Sequence, residues 1–311
     1  MMPSFNFSSD ANKPIAPLIW VEDRNGTGLP YSKGLMASSI MATGLPPQRA
    51  YELASSIERE LRAEGNLTVC AETLRSTAVD VLRRSEGLSI ADRYEAWRRA
   101  KRSPRPIVLL VGGATGVGKS TAASRLAARL DLAGVVQTDA VREVMRSLVS
   151  FADTPSIHRS SFDSGGDIVA GFLEQSHIVA GSVASLVHRT VVERRDLIVE
   201  GVHIIPGMLS EPRLAAARDK AVLVQVLLTL RDRSVHESHF LNRLENEHGR
   251  NPSRYLDHLE DIRKLDRHLV EMANLHGVQV IEASSLDETV QRVIEVVVGE
   301  VIAASDAPLI A

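Results

Sequence analysis

The stretch that constrains this chain most is residues 113–120, which read Gly-Ala-Thr-Gly-Val-Gly-Lys-Ser directly after the apolar run 107–111. Glycines at these positions let several backbone N–H groups converge on one phosphate, where a side chain would block the approach. A chance glycine-rich turn is the alternative, but it does not explain why a strand precedes the motif and a helix follows it. The pattern therefore predicts a phosphate-binding loop.

The polar residues of this loop have expected roles. Lys119 supplies a point charge to the β- and γ-phosphates, which makes it a catalytic candidate, and Ser120 presents its hydroxyl to Mg²⁺. The helix that begins here points its positive end at the phosphates. We therefore expect ATP and Mg²⁺ as cofactors. The expected nucleotide-binding residues are Gly113, Thr115, Gly116, Val117, Gly118, Lys119, Ser120 and Thr121.

Composition narrows the range of partners. The 311 residues carry a net charge of −3, so no overall basicity indicates nucleic acid as a partner, and a small anionic metabolite fits better. The single cysteine, Cys70, excludes an internal disulfide, and no apolar run is long enough to span a membrane. The polar N-terminus lacks the apolar core of a secretion signal. We expect a soluble cytoplasmic protein and leave a homo-oligomer open.

The length favours two domains. Residues 18–31 read as a hairpin, and helices are expected from Ser32 to about Met41, from Pro46, over 71–84 and over 90–100. Ser103-Pro104-Arg105-Pro106 breaks the last of these helices and forces an extended path. We predict a disordered tail over 1–17, a helical domain over 18–101, a linker over 102–106, an α/β domain over 107–303 and a frayed tail over 304–311.

The second domain alternates apolar strand-like runs with helical stretches. After the run 107–111, further runs lie at 135–138, 196–200, 221–228 and 278–281. Strands separated by helices of this length are parallel, which predicts an α/β layer architecture. Ser285 to Glu288 forms a capping box, which predicts the start of the last helix.

Candidate acceptor-binding residues follow the second strand. Carboxyl ends of parallel strands face the ligand crevice, which places Asp139 near the γ-phosphate. Asp139 could orient or deprotonate a substrate hydroxyl, while Arg142 and Arg146, one helical turn apart, could hold an anionic group. The alternative, which ignores the position after the second strand, is that Asp139 is an ordinary residue of the first helical turn and the arginines face solvent.

The third strand ends on Glu200-Gly201-Val202-His203. A carboxylate closing an apolar strand near a phosphate loop usually serves Mg²⁺, so Glu200 and Ser120 form the predicted metal site. Gly201 would allow the backbone to approach a ligand. For His203 two interpretations stay open: a contact with an anionic substrate, or a satisfied core histidine.

Basic residues are frequent after the fourth strand, where a helix–loop–helix is expected. Arg243, Arg250 and Arg254 would belong to a lid that closes over the transferring phosphoryl group and excludes water. Interleaved acidic residues leave a solvated helical hairpin as the alternative.

Two resemblances follow from longer motifs. Residues 21–26, Val-Glu-Asp-Arg-Asn-Gly, with residues 30–33, Pro-Tyr-Ser-Lys, resemble the ATP-cone, a small regulatory nucleotide-binding domain. This resemblance implies Arg24 and Lys33 as phosphate contacts. Ordinary solvated charges on an accessory domain are the alternative.

The second resemblance covers nearly everything from 18 to 301. Residues 111–121, Thr138-Asp139-x-x-Arg142-Glu143-x-x-Arg146, residues 200–207 and Leu-Pro-Tyr-Ser-Lys-Gly at 29–34 together look like the 2-phosphoglycerate kinase family. The resemblance implies ATP-dependent phosphorylation of 2-phosphoglycerate to 2,3-bisphosphoglycerate. The alternatives are a kinase of the same fold acting on another phosphorylated or carboxylated alcohol, and a nucleotide-sensing regulator without kinase activity. The expected fold is of the nucleoside-monophosphate-kinase type, with strand order 2-3-1-4-5.

Overall fold

The structure is a computed structural model that describes residues 17–22, 26–65, 67–162, 166–246 and 253–306. Within these residues, the N-terminal region contains three short strands and four helices. In chain order these are β1 (Trp20–Glu22), β2 (Gly28–Pro30), α1 (Lys33–Met41), α2 (Pro47–Ala63), β3 (Thr68–Cys70), α3 (Ala71–Glu86) and α4 (Leu88–Ala100).

The predicted hairpin and helices of this region are present, with one addition. β1 pairs with β2 in antiparallel fashion, and β3 pairs with β1 in parallel to complete the sheet β2-β1-β3. β3 was not predicted from the sequence, because a strand of three residues is too short to show an alternating pattern. Ser32 caps α1 as expected, with its Oγ accepting from the Leu35 N–H at 3.3 Å.

The second region alternates strands and helices. Its elements are β4 (Ile107–Gly112), α5 (Lys119–Leu130), β5 (Val135–Gln137), α6 (Thr138–Leu148), α7 (Pro155–His158), α8 (Ile168–Glu193), β6 (Leu197–Glu200), α9 (Pro212–Ala215), β7 (Val222–Thr229), α10 (Arg233–Asn246), α11 (Ser253–Asp257), α12 (Leu259–His276), β8 (Gln279–Glu282) and α13 (Leu286–Asp306), with a 3₁₀ turn at Met208–Ser210.

The five strands of this region form one parallel sheet in the order β5-β6-β4-β7-β8. Counted along the chain from β4, this is the order 2-3-1-4-5 expected from the sequence. β4 is central and every one of its residues is buried, as continuous apolar strands covered on both faces require. Because the strands are parallel, their carboxyl ends lie along one edge of the sheet. The candidate functional residues lie at that edge, directly after the strands.

The last helix extends beyond its expected end. Ser285 Oγ accepts from the Glu288 N–H at 3.3 Å, which is the predicted cap. The helix continues to Asp306, past residue 304, where we expected a frayed tail. Val301 is 1% exposed, and the Arg105 guanidinium donates to the Ala304 carbonyl at 3.3 Å. These contacts hold the final turn; residues 307–311 lie outside the described part of the chain.

The two regions share part of their packing. Most apolar residues of the N-terminal region form a core of their own, but Ala42 and Trp97 belong to the core of the second region. Ion pairs join the regions as well, between Lys101 and Asp196 at 2.6 Å and between Arg93 and Glu295 at 3.7 Å. The N-terminal region is therefore docked on the α/β region through α4. In the ranges that the structure describes, no helix is long and apolar enough to cross a membrane.

The position of Trp97 leads to a stability prediction. Trp97 is 3% exposed, whereas Trp20, the other tryptophan of the chain, is 45% exposed. Trp97→Ala should lower the free energy of unfolding by about 3–5 kcal/mol, because it removes a large side chain from a packed core. Trp20→Ala should change it by about 0.5 kcal/mol or less. Urea denaturation of the full chain, followed by circular dichroism, measures both; equal losses would contradict the docking described here.

Candidate active site

An open cleft of about 1750 Å³ lies at the carboxyl edge of the second sheet. The phosphate loop and the start of α5 form one end, and α6 with the segment 158–162 forms the other. Among the residues that line the cleft are Thr115, Gly116, Val117, Gly118, Lys119, Ser120, Thr121, Asp139, Arg142, Arg146, Arg159, Ser160, Ser161, Phe162, Glu200, Gly201, His239, Arg254 and Tyr255.

The loop between β4 and α5 has the backbone conformation that its glycines permit. Gly116 and Gly118 both have φ of +89°, in the left-handed region. Lys119 is 7% exposed, and its Nζ donates to the Ala114 carbonyl at 2.7 Å, so the ammonium group lies over the loop. Gly113 packs against the Leu228 carbonyl and is not among the residues that line the cleft.

Helix α10 packs directly on this loop. His236 Nε2 bonds to the Thr115 carbonyl at 2.7 Å, and His239 Nδ1 bonds to the Gly116 carbonyl at 2.8 Å. Carbonyls only accept, so both ring nitrogens carry hydrogen. Burial lowers the pKa of His236, which favours the neutral form of that ring. The two histidines hold the outer side of the loop.

Ser120 and Glu200, the predicted metal pair, are in contact. Ser120 Oγ donates to Glu200 Oε1 at 2.6 Å, and Glu200 is 2% exposed at the end of β6. A hydroxyl and a carboxylate are the oxygen ligands that suit Mg²⁺, which takes few protein ligands and keeps its remaining positions for phosphate and water. The donor set therefore fits. Among the described residues no group of three or more His, Cys, Asp or Glu side chains could hold a metal ion.

The start of α6 brings its predicted residues to the other end of the cleft. Asp139 is exposed in the first turn, and Arg142 is half-buried. Burial lowers the pKa of Arg142 and the nearby Asp139 opposes this shift, while the guanidinium stays charged. Arg142 Nη1 donates to the Arg159 carbonyl at 2.6 Å. Arg146 Nη1 lies 2.8 Å from Glu143 Oε2.

The segment from His158 to Phe162 is a part of the cleft that the sequence analysis missed. It contributes Arg159, Ser160 and Ser161 to the lining. A short run of basic and hydroxyl residues is a weak signal for anion contacts, because the same run is common on solvated surfaces. Its position in the cleft depends on the packing of α7 and α8, which the sequence alone does not specify.

Comparison with known proteins gives consistent matches. The chain is 34% identical over 276 residues to a protein of Methanopyrus kandleri named 2-phosphoglycerate kinase, which covers 86% of this chain and 83% of the relative. A protein of the same name from Pyrococcus furiosus is 32% identical over 288 residues, covering 89% of this chain and 93% of the relative.

The chain belongs to the 2-phosphoglycerate kinase family. This confirms the family suggested by the motifs, and with it a phosphotransferase that binds nucleotide at a phosphate loop. No protein-family model matches the sequence. Solved structures with a similar arrangement include a gluconokinase from Sinorhizobium meliloti, at TM-score 0.36 and 17% identity over 65% of this chain and 96% of that one. A shikimate kinase from Acinetobacter baumannii has TM-score 0.36 and 13% identity over 67% of this chain and 99% of that one.

In this family member His203 lies beneath the cleft and not in it. The side chain is fully buried; its Nδ1 lies 2.9 Å from Thr138 Oγ1 and its Nε2 lies 2.9 Å from Gln175 Oε1. Both nitrogens thus have protein partners, and burial lowers the pKa of His203 to about 4. This arrangement favours the interpretation of His203 as a satisfied core histidine. The space beside Gly201 is likewise filled by the Thr138 side chain, which a Cβ there would overlap.

The predicted lid is located only in part. The Arg243 side chain and Arg250 lie outside the described part of the kinase. Arg254, in α11, lines the cleft with its guanidinium 5.7 Å from the centre of the Phe162 ring. Tyr255 next to it stacks on Phe240 with ring centres 5.3 Å apart. Aromatic contacts therefore connect α11 to α10.

In the N-terminal region Lys33, one of the two predicted phosphate contacts, forms an ion pair with a glutamate. Lys33 Nζ lies 2.9 Å from Glu58 Oε2, in an ion pair within that region. Arg24 lies outside the described residues. The ion pair supports the interpretation of Lys33 as an ordinary surface charge.

The packing of α10 on the loop predicts a difference between two glycines. A Cβ at Gly116 would lie 2.7 Å from a carbon of the Phe240 ring, whereas a Cβ at Gly118, with the same φ, meets nothing within 4 Å. Both alanine variants carry the strain of a left-handed residue, about 1–2 kcal/mol. Gly116→Ala should lose about 1–3 kcal/mol more, from overpacking. Chemical denaturation without nucleotide measures this; equal losses would show that α10 does not hold the loop.

Proposed function

We propose that this kinase transfers the γ-phosphate of ATP to the hydroxyl of 2-phosphoglycerate, giving 2,3-bisphosphoglycerate and ADP. The observation that carries the proposal is one continuous cleft with a phosphate loop at one end and guanidinium groups at the other. The names of the relatives support the choice of acceptor.

At the nucleotide end the chain binds polyphosphate through the loop and α5. The loop N–H groups and the α5 N-terminus are suited to the phosphates. Lys119 would exchange its bond to the Ala114 carbonyl for the β- and γ-phosphate oxygens. Ser120 and Glu200 would hold Mg²⁺, which supplies charge neutralisation to the phosphates when bound.

At the acceptor end the charges match a molecule with two anionic groups. Arg142, Arg146, Arg159 and Arg254 line this end, against the two carboxylates of Asp139 and Glu143. 2-Phosphoglycerate carries a phosphate and a carboxylate, both of which guanidinium groups bind bidentately. Arg142 is the best placed of the four, because it is half-buried beside Asp139. Its ion pair with an anionic acceptor would therefore be screened less by water.

The transfer itself needs positioning more than covalent chemistry from the protein. The acceptor hydroxyl oxygen forms a bond to the γ-phosphorus while the bond from that phosphorus to the β–γ bridging oxygen breaks, and ADP leaves. Asp139 orients the hydroxyl and accepts its proton as the new bond forms. Lys119 stabilises the charge that develops on the phosphoryl oxygens.

Arg142 provides the test of acceptor recognition. Arg142→Lys should reduce kcat/KM for 2-phosphoglycerate by roughly ten- to a hundredfold, since lysine cannot replace a bidentate contact and charge-assisted bonds contribute about 1.5–3 kcal/mol. The KM for ATP should stay within about threefold. Arg189→Lys is the matched control, because Arg189 lies on the exposed side of α8 and pairs only locally with Glu193.

Steady-state assays with ATP and a panel of hydroxy acids check this expectation. The panel contains 2-phosphoglycerate, 3-phosphoglycerate, glycerate and gluconate, with water as the acceptor in a blank. Preference for a different acid would replace the proposed acceptor within the same reaction. Hydrolysis of ATP without transfer to any acid would contradict the proposed function.

A further inference from the structure

A chain of buried polar side chains runs beneath the acceptor end of the cleft. Gln175 lies in the first third of α8 and is 1% exposed, and His203 follows β6 and is fully buried. Gln175 Nε2 donates to the Ser156 carbonyl at 2.5 Å and to the Arg159 carbonyl at 3.0 Å. Its Oε1 faces His203, which in turn contacts Thr138.

Donor and acceptor chemistry fixes the direction of every bond in this chain. Two carbonyls can only accept, so the amide nitrogen of Gln175 must face them and the amide oxygen must face His203. The Nε2 of His203 therefore carries the hydrogen, and its Nδ1 accepts from the Thr138 hydroxyl. A single arrangement satisfies all the groups, as buried polar networks require.

This series of hydrogen-bonded side chains ends next to the two proposed acceptor residues, Asp139 and Arg142. Thr138 is the first residue of α6 and precedes Asp139. The Arg159 carbonyl accepts from Gln175 and also from Arg142 Nη1 at 2.6 Å. The bonds of Gln175 and His203 therefore connect to Arg142 through the shared Arg159 carbonyl and to Asp139 through the neighbouring residue Thr138, while they do not touch the phosphate loop.

We propose that Gln175 is a positioning residue: its bonds to the Ser156 and Arg159 carbonyls set the 156–159 turn and Arg142, and its bond to His203 ties them to Thr138 and hence to the start of α6 at Asp139. This inference rests on the proposed function, because it assigns the acceptor to that end of the cleft. Displacements of about 1 Å at a reacting centre can cost a hundredfold in rate. A residue that fixes the acceptor end should therefore affect the acceptor far more than ATP.

Gln175→Leu is the decisive variant, because leucine has a similar size and removes all three hydrogen bonds. It should lower kcat/KM for 2-phosphoglycerate by roughly ten- to a hundredfold and leave the KM for ATP within about threefold. The matched control is Gln225→Leu. Gln225 is 8% exposed on β7 and donates to the Ile205 carbonyl at 2.8 Å, away from the cleft. Gln225→Leu should lower the stability of the protein, but it should not reduce kcat/KM for 2-phosphoglycerate selectively while the KM for ATP is kept.

His203→Asn is a second variant in case the loss of Gln175 impairs folding. The asparagine amide can still contact Thr138 but cannot reach Gln175, so the effect on the acceptor should have the same direction and a smaller size. A folded Gln175→Leu or His203→Asn protein with acceptor kcat/KM within about threefold of wild type would overturn the proposal. An equal loss for acceptor and ATP would also overturn it.

Hydrogen exchange separates this inference from the proposed function. In the Gln175→Leu protein without substrates, the amides of 156–162 should exchange about tenfold faster than in the Gln225→Leu protein, because two bonds that hold this segment are lost. If wild type phosphorylates none of the acids, the proposed function fails and this measurement still decides the inference. Unchanged exchange over 156–162 would overturn the positioning role.

Discussion

The parallel pairing of β4 with β6 and of β6 with β5 is the constraint on which the cleft depends. Register places Val111 opposite Glu200, and Glu200 opposite Gln137. The residues that follow each strand therefore emerge beside one another: the phosphate loop after β4, Asp139 after β5, and Gly201 after β6. The contact between Ser120 and Glu200 is a direct result of that register.

Burial then gives the two ends of the cleft different properties. At the nucleotide end, backbone groups and the nearly buried Lys119 form a site of fixed shape, which α10 holds from outside through His236 and His239. At the acceptor end, guanidinium groups line the cleft, and the buried residues Thr138, His203 and Gln175 lie beneath it. Under the proposed function, shape would select the phosphates of the nucleotide and charge would select the acceptor.

Features with strong local signals were predictable. The loop at 113–120 and the cap at Ser285 follow from spacing and side-chain chemistry, and the parallel sheet follows from the alternation of strands and helices. The strand order was expected from the kinase fold type that accompanied the family resemblance. The structure has each of these features. The contact of β3 with β1 was not predictable, because it joins three-residue segments far apart in sequence.

For His203 the sequence left two roles open, since its partner Gln175 lies on α8 and comes into contact with His203 only when α8 packs against β6. A glutamine at a core position of a mainly apolar helix face, between Phe172 and Val179, was the available signal.

The most direct measurement is a crystal structure of the protein with a non-hydrolysable ATP analogue and 2-phosphoglycerate. Our account predicts the β- and γ-phosphates within the loop at 113–120 and an anionic group of the acceptor bonded to Arg142. The acceptor hydroxyl should lie between Asp139 and the γ-phosphorus, within the 3–3.5 Å or so typical of reacting atoms. An acceptor bound away from α6, with Arg142 still donating only to the Arg159 carbonyl, would contradict it.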